Sequence, residues 1–524
     1  MKAVKKIPAD EIISINPATG EEVGRVKNFS KEEVKAAVER SRSAFQIWRK
    51  TPFEERRRIV MRAREVILAE MDGIAGLISD EMGKPVAEAL STEIAPVLDL
   101  MQYFAKNTEK LLRPEKRGIG LLGLMGRLSK IIYKPLGVVG IIPAWNFPFS
   151  IPLGEVVMSL MAGNTVVLKP SELTPLTGEK IAEIFEIARL PKNVLQVTTG
   201  DGKTGAALVD AGVNKIMFTG SVATGKKIAE NAAKHLTSVV LELGGKDPMV
   251  VFADANLEKA ASAAVWGAFT NSGQACSSVE RLYVEEKAAE RFTRMLVEKT
   301  EKLRQGKGSD PETDIGSMSS ETQTKIVEDH VEEFRNAGAK ILTGGKRNED
   351  LGSVFFEPTV ISGARNKMLP MREETFGPTL PVATFRTEDE AIELANDTDF
   401  GLTASVWTGD LRRGRRVAEK ILAGTVNVNE VLYTHGIGQT PWGGFKDSGY
   451  GRTHGKEGLM ELVATQHIHV NRFLFTPDVW WFGYSKNAIE TFKEMARTFS
   501  SGSVIRTLGF LPQMWKRIRE LMKD

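Results

Sequence analysis

The chain has 524 residues, 42% hydrophobic and 26% charged, which is the balance of an ordinary soluble protein too long for a single core. Its 70 Lys+Arg against 67 Asp+Glu leave a net charge of +3, scattered without a basic stripe, so nothing favours nucleic acid as a partner. The single cysteine, Cys276, excludes an internal disulfide framework and fits a reducing compartment, and the 6 dispersed histidines argue against a metal centre.

The opening stretch, MKAVKKIPADEIISINPATGEEV, lacks the apolar core of a signal peptide, so a cytoplasmic protein is expected. Helical stretches rich in Ala, Glu, Arg and Lys run from there to Pro85. Ser30, with Glu33 three residues on, predicts a capping box at the start of the first. The longest apolar region, Leu136 to Pro170, is interrupted by four prolines, two asparagines and Glu155. A membrane span needs roughly 20 clean apolar residues, so this region reads as buried strand, loop, helix and buried strand. From about Ile132 short Val/Ile/Leu runs alternate with helical segments: GVVGII, NTVVLKP, KIMFTGS, SVVLELGG, PMVVFADA. Such runs predict parallel sheet covered on both faces. A second series runs from ERLYVEE through LPVATFR to GTVNVN. The expected fold class is α/β with two doubly wound regions, one before about Leu243 and one after it.

Past Arg472 the pattern changes. Ile489, Phe492, Met495, Ala496 and Phe499 share one helical face, and Trp515, Ile518, Leu521 and Met522 oppose Lys516, Arg517 and Arg519. With Trp480 and Trp481, this suits either an amphipathic segment at a membrane interface or a tail packed on its own oligomer.

Four stretches carry chemistry. In IMFTGSVATGKK a strand ends near Phe218, and Gly220, Ser221 and Gly225 lead into a helix, a place where backbone N–H groups approach phosphate. In NTVVLKPSELTP, Lys169 and Glu172 lie at a strand's end, where ribose hydroxyls are held in doubly wound sheets. In LELGGKDP, Glu242 closes an apolar strand and is placed to act as a desolvated general base. In FTNSGQACSSVE, Gly273 and Gln274 predict a tight loop, at or near a helix start, which would activate Cys276. Taken singly, each also fits a purely structural turn.

Taken in order they resemble the aldehyde dehydrogenase superfamily, of the NAD(P)-dependent, hydrolytic type. The matching stretches are PAWNFPF, VVLKPSELTP, FTGSVATG, LELGGKDP, GQACSSVERLYV, EETFGPTLPV and PWGGFKDSGYGRTHGKEGL, and the general likeness runs from about residue 10 to 470. The resemblance implies that Cys276 attacks an aldehyde carbonyl to give a thiohemiacetal. Asn146 and the Cys276 N–H then hold the oxyanion, and Glu242 activates the water that hydrolyses the thioester. It also implies that Lys169 and Glu172 meet the adenosine ribose, Gly220 and Ser221 the pyrophosphate, and Glu374 and Phe376 the nicotinamide end, which Trp145 lines. A carboxylate such as Glu172 repels a 2′-phosphate, so NAD is favoured over NADP.

The same resemblance divides the chain into a discontinuous NAD-binding domain (8–126 and 140–243), a catalytic domain (244–430), a β oligomerisation flap (127–139 and 462–474) and an amphipathic extension (475–524). A homodimer or homotetramer is expected, with peripheral membrane contact through the extension. Aromatic pocket positions of the family fall on Gly154, Thr270 and Gly436, which predicts an open tunnel for a medium- to long-chain aldehyde. The alternatives are a semialdehyde dehydrogenase, with Arg281 as the candidate cation, and a non-catalytic protein on the same fold.

Overall fold

The computed structural model describes residues 10–523. The chain forms two compact units. One contains residues up to Leu111 together with Pro135–Val463; the other contains Leu112–Lys134 and everything from Ala464 on.

The larger unit is built on two sheets. The first has six strands in the spatial order Gly449–Tyr450, Ser238–Glu242, Lys215–Thr219, Val138–Ile142, Thr165–Leu168, Leu195–Val197. All neighbours are parallel except the edge strand Gly449–Tyr450. The chain starts at Val138–Ile142, winds out to one side, then returns to the other. This creates a switch point between Val138–Ile142 and Lys215–Thr219, where the C-terminal strand ends open a crevice. The second sheet has seven strands in the order Lys340–Thr343, Thr359–Ser362, Thr379–Phe385, Val279–Glu285, Asp247–Val251, Thr403–Trp407, Thr425–Val428. Again only one edge, Lys340–Thr343, is antiparallel. Met249, Val250 and Val251 are all buried, as are Leu282, Tyr283 and Val284, because helices cover both faces; hence runs rather than alternation in the sequence.

The predicted local signals form as expected. The Ser30 side chain accepts from Glu33 N–H and Glu33 reaches back to Ser30 N–H, which opens the helix Lys31–Trp48. The apolar region Leu136–Pro170 folds as strand, loop, helix and strand. Its helix, Ser150–Ala162, is buried on every side, which explains its unbroken hydrophobicity. No helix among the described residues is long and apolar enough to cross a membrane.

The smaller unit has a three-stranded sheet in the order Val463–Asn471, Arg127–Pro135, Glu115–Lys116, and two helices, Lys486–Ser501 and Val504–Leu521. The helices pack on each other, and Met125, Val479, Phe510, Met514 and Ile518 form a small core. The expected helical faces are only partly those observed. Ala488, Thr491 and Thr498 are buried, whereas Ile489 and Phe499 are more than half exposed. Arg517, expected on the polar face, is completely buried: its guanidinium donates to the carbonyls of Gly483 (2.8 Å) and Trp481 (3.1 Å). A side chain with five donors satisfies carbonyls of an irregular turn that an apolar residue would leave unpaired.

Candidate active site

The two sheets of the larger unit meet end to end. The chain leaves the first sheet at Glu242 and enters the second at Asp247, crossing on Leu243-Gly244-Gly245-Lys246. Residues at the C-terminal ends of the first sheet's strands therefore share a site with residues at the N-terminal ends of the second sheet's. Both glycines are required by close approach. A Cβ on Gly245 would lie 2.4 Å from the Cys276 carbonyl oxygen, and one on Gly244 2.3 Å from Glu374 Oε2.

Cys276 sits in a turn between the short 3-10 helix Thr270–Gly273 and the strand Val279–Glu285. It does not stand at a helix N-terminus, as expected. Asn271, Ser272 and Gly273 all have positive φ (54°, 56° and 73°), which folds the chain back sharply before the thiol. Two of the three carry side chains, so the conformation is held from outside. Asn271 N–H donates to Glu88 Oε2 (2.9 Å), and the Ser272 hydroxyl donates to the Gly316 carbonyl (3.0 Å). A Cβ on Gly273 would lie 2.2 Å from the Gly377 carbonyl oxygen. Gln274 secures the far side, donating to Asn271 O and accepting from Ser319 N–H.

Asn146 lies on the loop between Val138–Ile142 and the helix Ser150–Ala162, and its side-chain amide donates to the Gln274 carbonyl (3.0 Å). That bond ties it to the cysteine turn and leaves its second N–H for another acceptor. A fully buried ion pair that sequence reasoning missed fixes this loop. Lys84 Nζ donates to Glu93 Oε1 (2.6 Å) and to the Asn146 carbonyl (2.9 Å). Glu93 Oε2 accepts from Phe149 N–H and Ser150 N–H, satisfying donors at the start of the helix Ser150–Ala162.

The thiol is surrounded by carboxyl groups. Burial, and then Asp247, Glu374 and Glu242, hold the Cys276 thiol far above its ordinary range, so at rest it is protonated. Cys276 thus stands in a turn and not at a helix start, and three carboxyls oppose its ionisation. Glu242 is buried, with neither carboxyl oxygen hydrogen-bonded. Burial first, then Glu155, raise it well above the usual carboxylate range, against the opposing charge of Arg452.

The remaining expected site residues gather at the same edge. Trp145 and Phe376 meet edge to face, 5.4 Å between ring centres. Glu374 Oε1 accepts from Gly245 N–H (2.9 Å), and burial pushes its carboxyl up to about 8. The loop carrying Glu374 and Phe376 is pinned by Glu280, also missed, which accepts from Thr375 N–H and Phe376 N–H and pairs with buried Lys246. Lys169 follows the strand Thr165–Leu168 and donates to Glu172 (3.1 Å), whose carboxylate is half exposed. Gly220 follows Lys215–Thr219, and a Cβ there would strike the Phe218 ring at 2.5 Å. Ser221 caps the helix Val222–Ala233. Among the described residues no group of three metal-ligating side chains occurs; His467 and His469 instead flank Ser129 in the smaller unit.

A chamber of about 350 Å³ opens onto Cys276. Its wall includes Pro96, Phe147, Ile151, Trp266, Leu432 and Tyr433, and no Lys, Arg, Asp or Glu. Of the three small positions expected to widen it, only Gly436 lines it. Leu100 and His454 stand in ordinary contact with where a Gly154 Cβ would be, and Thr270 is buried. Arg281 does not face the chamber; it is fully buried, donating to the carbonyls of Lys246, Leu394 and Ala395 and to the Tyr283 hydroxyl.

The model of the aldehyde dehydrogenase family matches residues 4–468. A Methylomonas protein named 4,4'-diapolycopene aldehyde oxidase is 39% identical over 482 residues, covering 92% of this chain and 90% of its own. A Mycobacterium tuberculosis protein, whose name assigns it provisionally as succinate-semialdehyde dehydrogenase, NADP(+), 2, is 38% identical over 479 residues, covering 90% of this chain and 91% of its own. Among solved structures, the NAD+ complex of an aldehyde dehydrogenase from Bacillus cereus is similar with a TM-score of 0.85 at 34% identity, covering 88% of this chain and 93% of that one. Betaine aldehyde dehydrogenase from Staphylococcus aureus in complex with NAD+ gives 0.86 at 34%, covering 92% and 95%.

Proposed function

Because the chain belongs to the aldehyde dehydrogenase family, we propose that the chamber at Cys276 oxidises an aldehyde with an apolar body to its carboxylic acid, with NAD as the hydride acceptor. The observation that carries this reading is the uncharged chamber wall leading to Cys276, with Glu242 in the adjoining cavity and Asn146 hydrogen-bonded to the Gln274 carbonyl two residues before the thiol.

The chemistry follows from what each group can do. The Cys276 thiol gives up its proton to solvent as its sulfur bonds to the carbonyl carbon. The oxygen, now negative, takes the free Asn146 N–H and the Cys276 backbone N–H. Addition makes the carbon tetrahedral, which lets its hydride leave. NAD, when bound, supplies the acceptor for that hydride, and an acyl thioester remains on Cys276. Glu242 takes a proton from water, the water oxygen bonds to the acyl carbon, and the C–S bond breaks, releasing the acid.

The dinucleotide suits the first sheet's crevice. In the proposed arrangement the six-stranded sheet forms the cofactor domain and the seven-stranded sheet the catalytic one. The Glu172 carboxylate, held by Lys169, fits a ribose diol and repels a 2′-phosphate, favouring NAD although a relative's name carries NADP(+). The capped helix at Ser221 offers its N-terminus to the pyrophosphate, and the Glu374 carboxyl, fixed by Gly245, serves the nicotinamide ribose.

A carboxylated substrate such as succinic semialdehyde would need a cation in the chamber, and Arg281 is committed to backbone carbonyls elsewhere. The test is reduction of NAD by purified protein across saturated aldehydes of increasing length, with succinic semialdehyde alongside. Each added methylene is worth about 0.8 kcal/mol on burial, so kcat/KM should climb roughly fourfold per carbon until the chamber is filled. A preference for succinic semialdehyde would overturn the reading.

The exposed residues of the smaller unit include Phe475 (93% exposed), Phe482 (84%), Trp481 and Ile505, and with them Arg472, Lys486, Lys516, Arg519 and Lys523. Aromatic groups interleaved with cations complement an anionic lipid surface, and we propose that contact for this unit.

A further inference from the structure

A second and much smaller cavity, of about 20 Å³, also borders Cys276 and shares Ile151 and His435 with the apolar chamber. Its wall contains Glu155, Thr219, Glu242, His435, Thr453 and His454. Five of these side chains carry buried polar atoms that find no hydrogen-bond partner: Glu155 Oε2, Thr219 Oγ1, both oxygens of Glu242, Thr453 Oγ1 and His454 Nδ1. Unpaired buried polar atoms are rare, and so many around one void call for an occupant. A void must offer roughly 10–15 Å³ and two to four polar partners to hold one water, so this one suits a single water. Glu155 comes from the helix Ser150–Ala162, which is otherwise apolar at its centre; a lone carboxyl there has no packing purpose.

We propose that Glu155 is a positioning residue that shares a proton with the base Glu242 across this one-water cavity. The inference rests on the hydrolytic role proposed above for Glu242. Two carboxyls facing one small void cannot both ionise freely, and they titrate as a pair. Burial pushes Glu155 up to about 8 and raises Glu242 as well, and the charge of an ionised Glu155 adds to the rise and holds the proton on Glu242. The other groups facing Glu242 do not cancel this. Arg452 opposes it, Cys276 is a protonated thiol, and His435 and His454 are kept neutral by burial, His435 lowered to about 4. During hydrolysis the water proton passes to Glu242 and is divided with Glu155. The C–O bond forms and the C–S bond breaks with its electron pair left on sulfur. The pair then discharges a proton to the sulfur, and no electron is gained or lost by either carboxyl.

The test is the pH profile of deacylation in the full chain, measured with a p-nitrophenyl ester that acylates Cys276 without a hydride step. Glu242 works as the carboxylate, above its own pKa. Removing the neighbouring charge in Glu155→Gln lowers that pKa, so the acidic limb should move down by about one pH unit or more, equivalent to a tenfold gain in relative rate on the limb. A merely structural role would lower the plateau and leave the limb in place, and that result overturns the inference. Should Glu155→Gln fail to fold, Glu155→Asp should move the limb in the same direction by less, and an unmoved limb is equally fatal. Glu242→Gln separates the two readings. If it leaves deacylation intact, the hydrolytic reading itself fails; if it slows deacylation while Glu155 variants leave the limb unmoved, only this inference fails.

Discussion

Lys84→Met probes how the oxyanion side of the site is held. Lys84 and Glu93 are both wholly inaccessible to solvent, and Lys84 bridges Glu93 and the Asn146 carbonyl. Methionine has nearly the same length but no charge or donors. Removing one partner of a buried ion pair is worth about 3–5 kcal/mol, because the survivor is left charged and unpaired. Glu93 keeps two backbone donors, Phe149 N–H and Ser150 N–H, which places the expected loss near the lower bound, about 3 kcal/mol. The Asn146 carbonyl retains Asn271 Nδ2 at 3.0 Å, so the loop should loosen without collapsing. Loss of an oxyanion donor outright lowers kcat by about 10²–10³; a displaced donor should give roughly 10-fold to 100-fold, with KM little changed. Urea unfolding measures the first quantity and steady-state turnover the second. The double variant Lys84→Met/Glu93→Gln removes both charges and should recover at least about 1 kcal/mol of the loss. If Lys84→Met lies within about 1 kcal/mol of wild type and turns over normally, the pair does not position Asn146 and the reasoning is wrong.

Three further outcomes are expected. Alkylation of the cofactor-free protein by iodoacetamide should accelerate about tenfold per pH unit through pH 9, since the thiol is held protonated by burial and by Asp247, Glu374 and Glu242; a plateau near pH 7 would contradict this. Glu172→Gln removes the charge that repels a 2′-phosphate, so the ratio of kcat/KM for NAD over NADP should fall by tenfold or more; an unchanged ratio would place cofactor choice elsewhere. Vesicles containing phosphatidylserine should co-sediment the full chain and phosphatidylcholine vesicles should not, with binding lost in a Trp481→Ala/Phe482→Ala variant and in high salt; equal recovery with both vesicles would remove the electrostatic argument.

Much of the architecture was open to reading because it rests on local rules. Unbroken Val/Ile/Leu strands mean two covered faces, and Ser30 and Glu33 mean a helix start. The candidate site residues lie on loops and at strand ends, and their spacing survives in one dimension. Lys84, Glu93 and Glu280 do not announce themselves, because their roles exist only between segments distant in the chain. Glu155 is visible in the sequence only as an interruption of an apolar stretch; nothing local tells that its carboxyl meets Glu242. The helices after Lys486 mislead for another reason. Periodicity assigns apolar residues to the inside, yet here Thr491 and Arg517 are buried while Ile489 and Phe499 look outward, because unpaired carbonyls and a small helix pair choose what goes in.

The buried acids of the larger unit have a consequence for folding itself. Burial raises Glu88 to about 7 and Glu155, Asp247 and Glu374 to about 8, far above what the same groups show in an unfolded chain. The native chain therefore takes up protons as it forms. Where folded pKa values exceed unfolded ones, the stabilisation is complete below the unfolded values and drains away as pH rises through the folded ones, at up to about 1.4 kcal/mol per pH unit for each such group. From about pH 5 to pH 8 this protein should become steadily easier to unfold.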